Sequence, residues 1–215
     1  ITRYEINGAL KNLFAKTQNI NFKKTSFIYS IKKNNGEVDN IRGYINGFKI
    51  SSGNVEFENL KSLNINGNLK SDLSLSKNDI SKFVSSKIFN DYENVKIIGK
   101  IQSLFKINFD KTLKVTNYQI EASGNIQNSE IKLKSPNKYL FIKDKIKSLN
   151  FEKTEFNINY GKDRKKLIKL KGLYRFNEGI FQKFNFETSY NAKLQTFLID
   201  GDFDNEIFVP LFNFN

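Results

Sequence analysis

Apolar and polar residues alternate along this chain with a period of two, over runs too long for an ordinary strand. From Leu63 the odd positions read Leu63, Ile65, Gly67, Leu69, Ser71, Leu73 and Leu75, while the even positions read Asn64, Asn66, Asn68, Lys70, Asp72 and Ser74. From Val95 the same alternation carries Val95, Ile97, Gly99, Ile101, Ser103, Phe105, Ile107 and Phe109, with Lys96, Lys100, Gln102, Lys106 and Asn108 on the other side. Successive side chains of a strand point to opposite faces, so each run is one strand with a wet face and a dry face. At about 3.3 Å per residue such runs reach roughly 40 to 50 Å, about twice the usual strand.

Shorter runs of the same kind follow at Tyr118 to Ile126, Phe156 to Tyr160, Ile168 to Phe176, Phe184 to Tyr190 and Phe197 to Phe203. The phase slips between Val115 and Tyr118, between Phe151 and Phe156, and between Phe22 and Phe27. A β-bulge, which adds one residue and bends the strand, accounts for such slips. Turns are predicted at Asn34-Asn35-Gly36, Ser52-Gly53-Asn54, Asp110-Lys111, Gln127-Asn128, Ser135-Pro136-Asn137, Gly161-Lys162-Asp163 and Asn177-Glu178-Gly179. Neighbouring strands are therefore expected to pair as antiparallel meanders. Only residues 78 to 90 break the period, with Ile80, Phe83, Val84 and Ile88 at helical spacing behind Ser76 as N-cap and Asp79 three residues on. The stretch from Lys138 to Lys147 reads as a connection.

Composition narrows the chemistry. The 215 residues include no Cys, His, Met or Trp, which removes His-based triads and proton shuttles, thiolate nucleophiles, disulfides, and zinc sites built on imidazole or thiolate. The expectation is a protein that is not an enzyme and needs no cofactor or metal. The absence of Met, with Ile1 at the first position, suggests a piece of a longer chain. No run approaches the roughly 18 apolar residues of a transmembrane helix. With 21 Phe and 9 Tyr the chain is too rich in strand formers to be disordered. Its thirty Asn and many Lys, Ile and Phe fit the drift of an AT-rich genome, which also raises the charge to +13. Aromatics and lysines fall mostly on opposite strand faces, as Phe105 and Ile107 do against Lys106, which argues against a base-stacking nucleic-acid platform.

An apolar-x-Gly-x-apolar pattern recurs around Gly8, Gly47, Gly67, Gly99, Gly124, Gly172 and Gly201. The alternation mostly passes through the glycine without changing phase, so these are expected inside strands on the inward face, at bends or close approaches. Ordinary hairpin turns of a β-sandwich are the other account.

These long glycine-bearing strands, with a short capped helix between Leu63 and Phe109, resemble the AsmA-like superfamily of bacterial envelope proteins, in particular its YhdP and TamB branch. The resemblance covers most of the chain and rests on texture, with no catalytic motif. It implies an all-β fold of long antiparallel strands in a curled, U-shaped sheet, a β-groove whose apolar trough carries phospholipid acyl chains across the periplasm. The whole chain, 1–215, would be one segment of that groove, with the helix inserted between two sheet segments. The parent chain would connect inner and outer membranes and be anchored in the inner one. The residues expected to line the trough are Leu63, Ile65, Leu69, Leu73, Val95, Ile97, Ile101, Phe105 and Ile107. The competing expectations are a cell-surface β-sandwich that binds protein or glycan, and a fragment of a porin-like barrel.

Other motifs carry little. Asp200, Asp202 and Asp204 open like a calcium loop, but Asn205 and Leu211 stand where Gly and Glu are required. Ser74-Leu75-Ser76-Lys77 holds a Ser-x-x-Lys without its partner motifs. Arg164-Lys165-Lys166 reads as a charged hairpin tip.

Overall fold

The structure is a computed structural model that describes residues 4–16, 20–59, 62–81, 90–137, 145–162, 166–191 and 194–201; at 190, 191, 194, 195, 197 and 199 only the backbone is described. The fold is all-β. Strands β1 (Glu5–Lys16), β2 (Asn21–Lys32), β3 (Asn35–Ile45), β4 (Phe48–Asn59), β5 (Leu63–Ser76), β6 (Tyr92–Phe109), β7 (Val115–Asn137), β8 (Ile146–Gly161), β9 (Lys166–Phe176), β10 (Gln182–Asn191) and β11 (Leu194–Gly201) form one antiparallel sheet. Strand order in the sheet equals chain order, so β1 and β11 are its two edges and it does not close into a barrel. With all eleven strands in one hydrogen-bonded sheet, the described residues do not form the two-sheet sandwich either. At 18 and 23 residues, β6 and β7 would span about 60 and 75 Å if straight.

A helix, α1 (Lys77–Ile80), lies between β5 and β6, and Ser76 caps it with Asp79 in the reciprocal arrangement of a capping box. Phe83, Val84 and Ile88 of the expected helix lie outside the described residues, as do most of the connection from Lys138 and the aspartates at 202 and 204.

Bulges bend the sheet in two places, through β1 to β4 and again in β7 and β8. Pairing slips around Asn12 in β1, Lys24 in β2, Asn40 in β3, Ser51 in β4, Gln127 in β7 and Lys153 in β8. Asn12, Lys24, Asn40 and Lys153 adopt positive φ there. Bulges bend a strand and increase its twist, and bulges in adjoining strands turn local bends into a fold line. The three expected phase slips are present: at Lys24, at Lys153, and where Asn108 pairs with Asn117 but Phe109 with Val115.

Two of these bulges are built alike. In Lys24-Thr25 and Lys153-Thr154 the left-handed lysine is followed by a threonine that is 0% and 1% exposed. Thr25 donates its hydroxyl to the Tyr44 carbonyl at 3.0 Å, and Thr154 to that of Glu152 at 3.0 Å. On the adjoining strand a glycine lies against each threonine. A Cβ at Gly43 would sit 2.5 Å from the Thr25 Cα, and one at Gly172 would sit 2.5 Å from the Thr154 Cα.

Several expected turns are corrected. Ser52-Gly53-Asn54 lies inside β4 and Gln127-Asn128 inside β7; both mark bulges, where pairing slips but the strand continues. The β2–β3 turn is at Lys33 and Asn34, so Asn35 and Gly36 already belong to β3, and Ser135-Pro136-Asn137 is the end of β7. Conversely Gly47, expected inside a strand, forms the β3–β4 hairpin with Asn46: φ is 52° at Asn46 and 88° at Gly47, the paired positive values of a type I′ turn. Gly8, Gly67, Gly99, Gly124, Gly172 and Gly201 are strand residues.

Gly172→Ala is expected to lower the unfolding free energy by roughly 1–3 kcal/mol, because the strands at the bulge must part to admit a methyl group. Thr154→Val, which removes one hydroxyl bond, should cost about 1 kcal/mol. Urea midpoints followed by far-UV circular dichroism check both, and a wild-type midpoint for Gly172→Ala would show that the fold line tolerates a wider strand spacing.

Candidate functional site: one apolar face of an open sheet

The register places all nine residues expected to line a trough on one face of β5 and β6. Ile65 pairs with Ile107, Leu69 with Ser103, Leu73 with Gly99 and Leu75 with Ile97. Leu73 and Val95 are buried, while Leu63, Ile65, Leu69, Ile97, Ile101, Phe105 and Ile107 are half-buried. A sandwich core would bury such residues against a second layer. Burial here follows the fold line instead: Ile50, Ser71, Ala122 and Phe156, all on the same face, are buried within a single-layer sheet. Such burial is consistent with a sheet curled toward its apolar face.

The face extends well beyond β5 and β6. One row runs Ile50, Ser71, Ile101, Gly124, Phe156, Leu170 and Phe186 from β4 to β10. Toward the β9–β10 connection it carries an aromatic cluster: Phe151 and Phe184 have ring centroids 5.3 Å apart, Tyr174 meets Phe176 at 5.3 Å and Phe184 at 5.9 Å, and the Tyr174 hydroxyl donates to Gln182 Oε1 at 2.9 Å. The alternation at Phe156 to Tyr160 and Ile168 to Phe176 already marked these strands. Their place on the same wall follows only from the cross-strand register.

The recurring glycines also gain a cause. A Cβ at Gly67 would run into the ring of Phe105, one at Gly8 into Tyr29 and one at Gly36 into Phe57; at Gly124 it would meet the Lys100 carbonyl oxygen and stand 2.8 Å from the Phe156 ring. Each of these glycines leaves space that a neighbouring strand's ring fills, which smooths the wall and pins the register.

The opposite face is polar and self-paired. Asn108 donates to Asn64 Oδ1 at 2.6 Å and Gln102 to Asn68 Oδ1 at 3.1 Å, while Lys49 meets Asp72 at 2.8 Å and Lys169 meets Glu187 at 2.9 Å. Hydrogen bonding and charge from Lys49 lower the Asp72 pKa, and Asp72 raises that of Lys49 in return. Exposed pairs of this kind, screened by solvent, add little to stability.

The end of the sheet bearing the β6–β7 turn is built differently. Asp110 accepts from the Thr112 hydroxyl at 2.6 Å, the Thr112 amide at 2.8 Å and the Lys114 amide at 3.1 Å. These bonds, the Thr112 hydroxyl first, hold its carboxyl below the usual range. Beside it, Tyr118 and Tyr160 stack at 5.7 Å with Lys166 Nζ 4.7 Å from the Tyr160 ring. A hydrogen bond between the two phenols lowers the Tyr160 pKa and raises that of Tyr118, and the Lys166 charge adds to the lowering.

Among the described residues no cluster of His, Cys, Asp or Glu could hold a metal, and no helix is long and apolar enough to cross a membrane. The Ser74-x-x-Lys77 pair forms no dyad: Lys77 donates its ammonium to the Tyr92 carbonyl. No family model, curated protein or solved structure matches this chain.

In a pH titration followed by carboxyl chemical shifts, Asp110 should show a midpoint below the ordinary aspartate value, and Thr112→Ala should raise it. Because the folded-state value is depressed, its contribution to stability is present above the unfolded-state pKa and is lost as pH falls through the folded-state value.

Proposed function

We propose that the apolar face is a lipid trough, and that this chain is a non-enzymatic segment of a periplasmic conduit shielding phospholipid tails in transit between inner and outer membranes. The observation that carries the proposal is the half-exposed apolar wall, continuous across the strands of a sheet that, among the described residues, neither closes nor acquires a second layer. Such a wall costs free energy in water, and acyl chains laid along it would recover about 0.8 kcal/mol for each buried methylene. Leu63, Ile65, Leu69, Leu73, Val95, Ile97, Ile101, Phe105 and Ile107 act as greasy wall with no individual ligand role. A wall without specific polar contacts holds tails weakly enough to let them slide. The resemblance to AsmA-like proteins supplies the periplasmic setting and the inner-membrane anchor of the parent chain.

A photo-crosslinking amino acid placed at 97 or 105 should capture phospholipid, while the same group at 96 or 106, on the polar face, should not. Capture at neither pair, or equally at both, would contradict the trough. Capture of a protein or glycan in place of lipid would instead favour a surface adhesin.

A further inference from the structure

The β6–β7 turn spends conformational strain on displaying a leucine. The Asp110 carboxylate and two backbone bonds, Leu113 N to Asp110 O at 3.1 Å and Asp110 N to Lys114 O at 2.9 Å, lock the turn. Leu113 is held at φ 62°, a region that a bulky side chain rarely occupies. Its side chain is 67% exposed, and that of Val115, two residues on, is 46% exposed. Asn or Gly would satisfy the backbone there without strain and without an apolar tip. Cations surround the tip. Lys111 and Lys114 flank Leu113 and are exposed. The start of the β8–β9 connection belongs to the same surface, because Lys162 donates its amide to the Tyr118 carbonyl at 3.2 Å and its ammonium to the Thr116 carbonyl at 2.7 Å. Lys166 and the exposed Tyr160 complete the rim. Asp110, the carboxylate within this turn, is turned inward onto amides and a hydroxyl.

We infer that this rim docks on an anionic phospholipid surface, with Leu113 entering the headgroup layer, Val115 and the tyrosines at the interface, and the lysines facing lipid phosphates. An apolar tip ringed by lysines and tyrosines suits an interface that is apolar beneath, wet above and negatively charged. The charge complementarity selects an anionic membrane over an apolar protein groove, which would leave the lysines unmatched. The inference stands on the rim alone and does not require the sheet to carry lipid.

The chain contains no tryptophan, so L113W provides its single tryptophan, excited selectively over the tyrosines. With vesicles containing phosphatidylglycerol its fluorescence should shift to the blue and be quenched by lipids brominated high on the acyl chain, whereas L104W, at an exposed site in the middle of β6, should do neither. Lys111→Glu with Lys114→Glu in the L113W background should weaken partitioning at least tenfold with an unchanged circular dichroism spectrum. Unshifted L113W emission on anionic vesicles, a shift of equal size for L104W, or partitioning unaffected by the charge reversal would each overturn the inference. So would a shift produced by duplex DNA and not by vesicles. Each outcome is separate from crosslinking within the trough, so either proposal can fail alone.

Discussion

The architecture depends on β-bulges. Each described strand pairs only with its neighbours in the chain, and among the described residues no second layer covers the apolar face. Asn12, Lys24, Asn40 and Ser51 lie at slips in β1 to β4, and Gln127 and Lys153 at slips in β7 and β8; such bulges bend and twist the strands that carry them. Thr25 and Thr154 return a hydroxyl to the local backbone, and Gly43 and Gly172 let the next strand approach. Left-handed lysine, buried threonine and facing glycine form a module used twice, once toward each edge of the sheet.

Curvature gives the alternation its meaning. On a flat single sheet the Ile, Leu and Phe positions would be fully wet; inside a curl they shield one another, and aromatic rings laid over glycines fill the gaps. Most of the wall remains half-exposed all the same, an unresolved hydrophobic surface along the sheet. The outer face pairs part of its polarity through side-chain amide bonds and ion pairs. The apolar face stays half-exposed, and under the proposed function an apolar ligand covers it. The rim at Leu113 shows the same apolar exposure on a smaller scale, with the addition of charge.

Much of this was legible in the residues. Strict alternation defined the long strands and their dry face, and the lost phase at Phe22 to Phe27, Val115 to Tyr118 and Phe151 to Phe156 located bulges, because an extra residue must appear as a slip of one. Local glycine chemistry was less informative. Ser52-Gly53-Asn54 reads as a turn and is a bulge, while Gly47 reads as a strand glycine and is a turn, since a bulge and a turn ask for the same small, polar, φ-tolerant residues. What differs is whether the flanking strands continue in the same direction, which cross-strand pairing decides. The aromatic cluster of Phe151, Tyr174 and Phe184 was hidden for the same reason: each residue lies on a recognisable strand, but their meeting is a matter of register.

The central claim is that the apolar face is open to solvent in the folded, lipid-free protein and is the surface that lipid covers. The chain has no cysteine, so single cysteines report without background. A small water-soluble thiol reagent should modify Ile101→Cys, on the apolar face, in the folded protein. Phospholipid should slow that reaction while leaving Lys100→Cys, on the polar face, unchanged. Modification of Ile101→Cys only after unfolding, or at the same rate with and without phospholipid, would contradict the account.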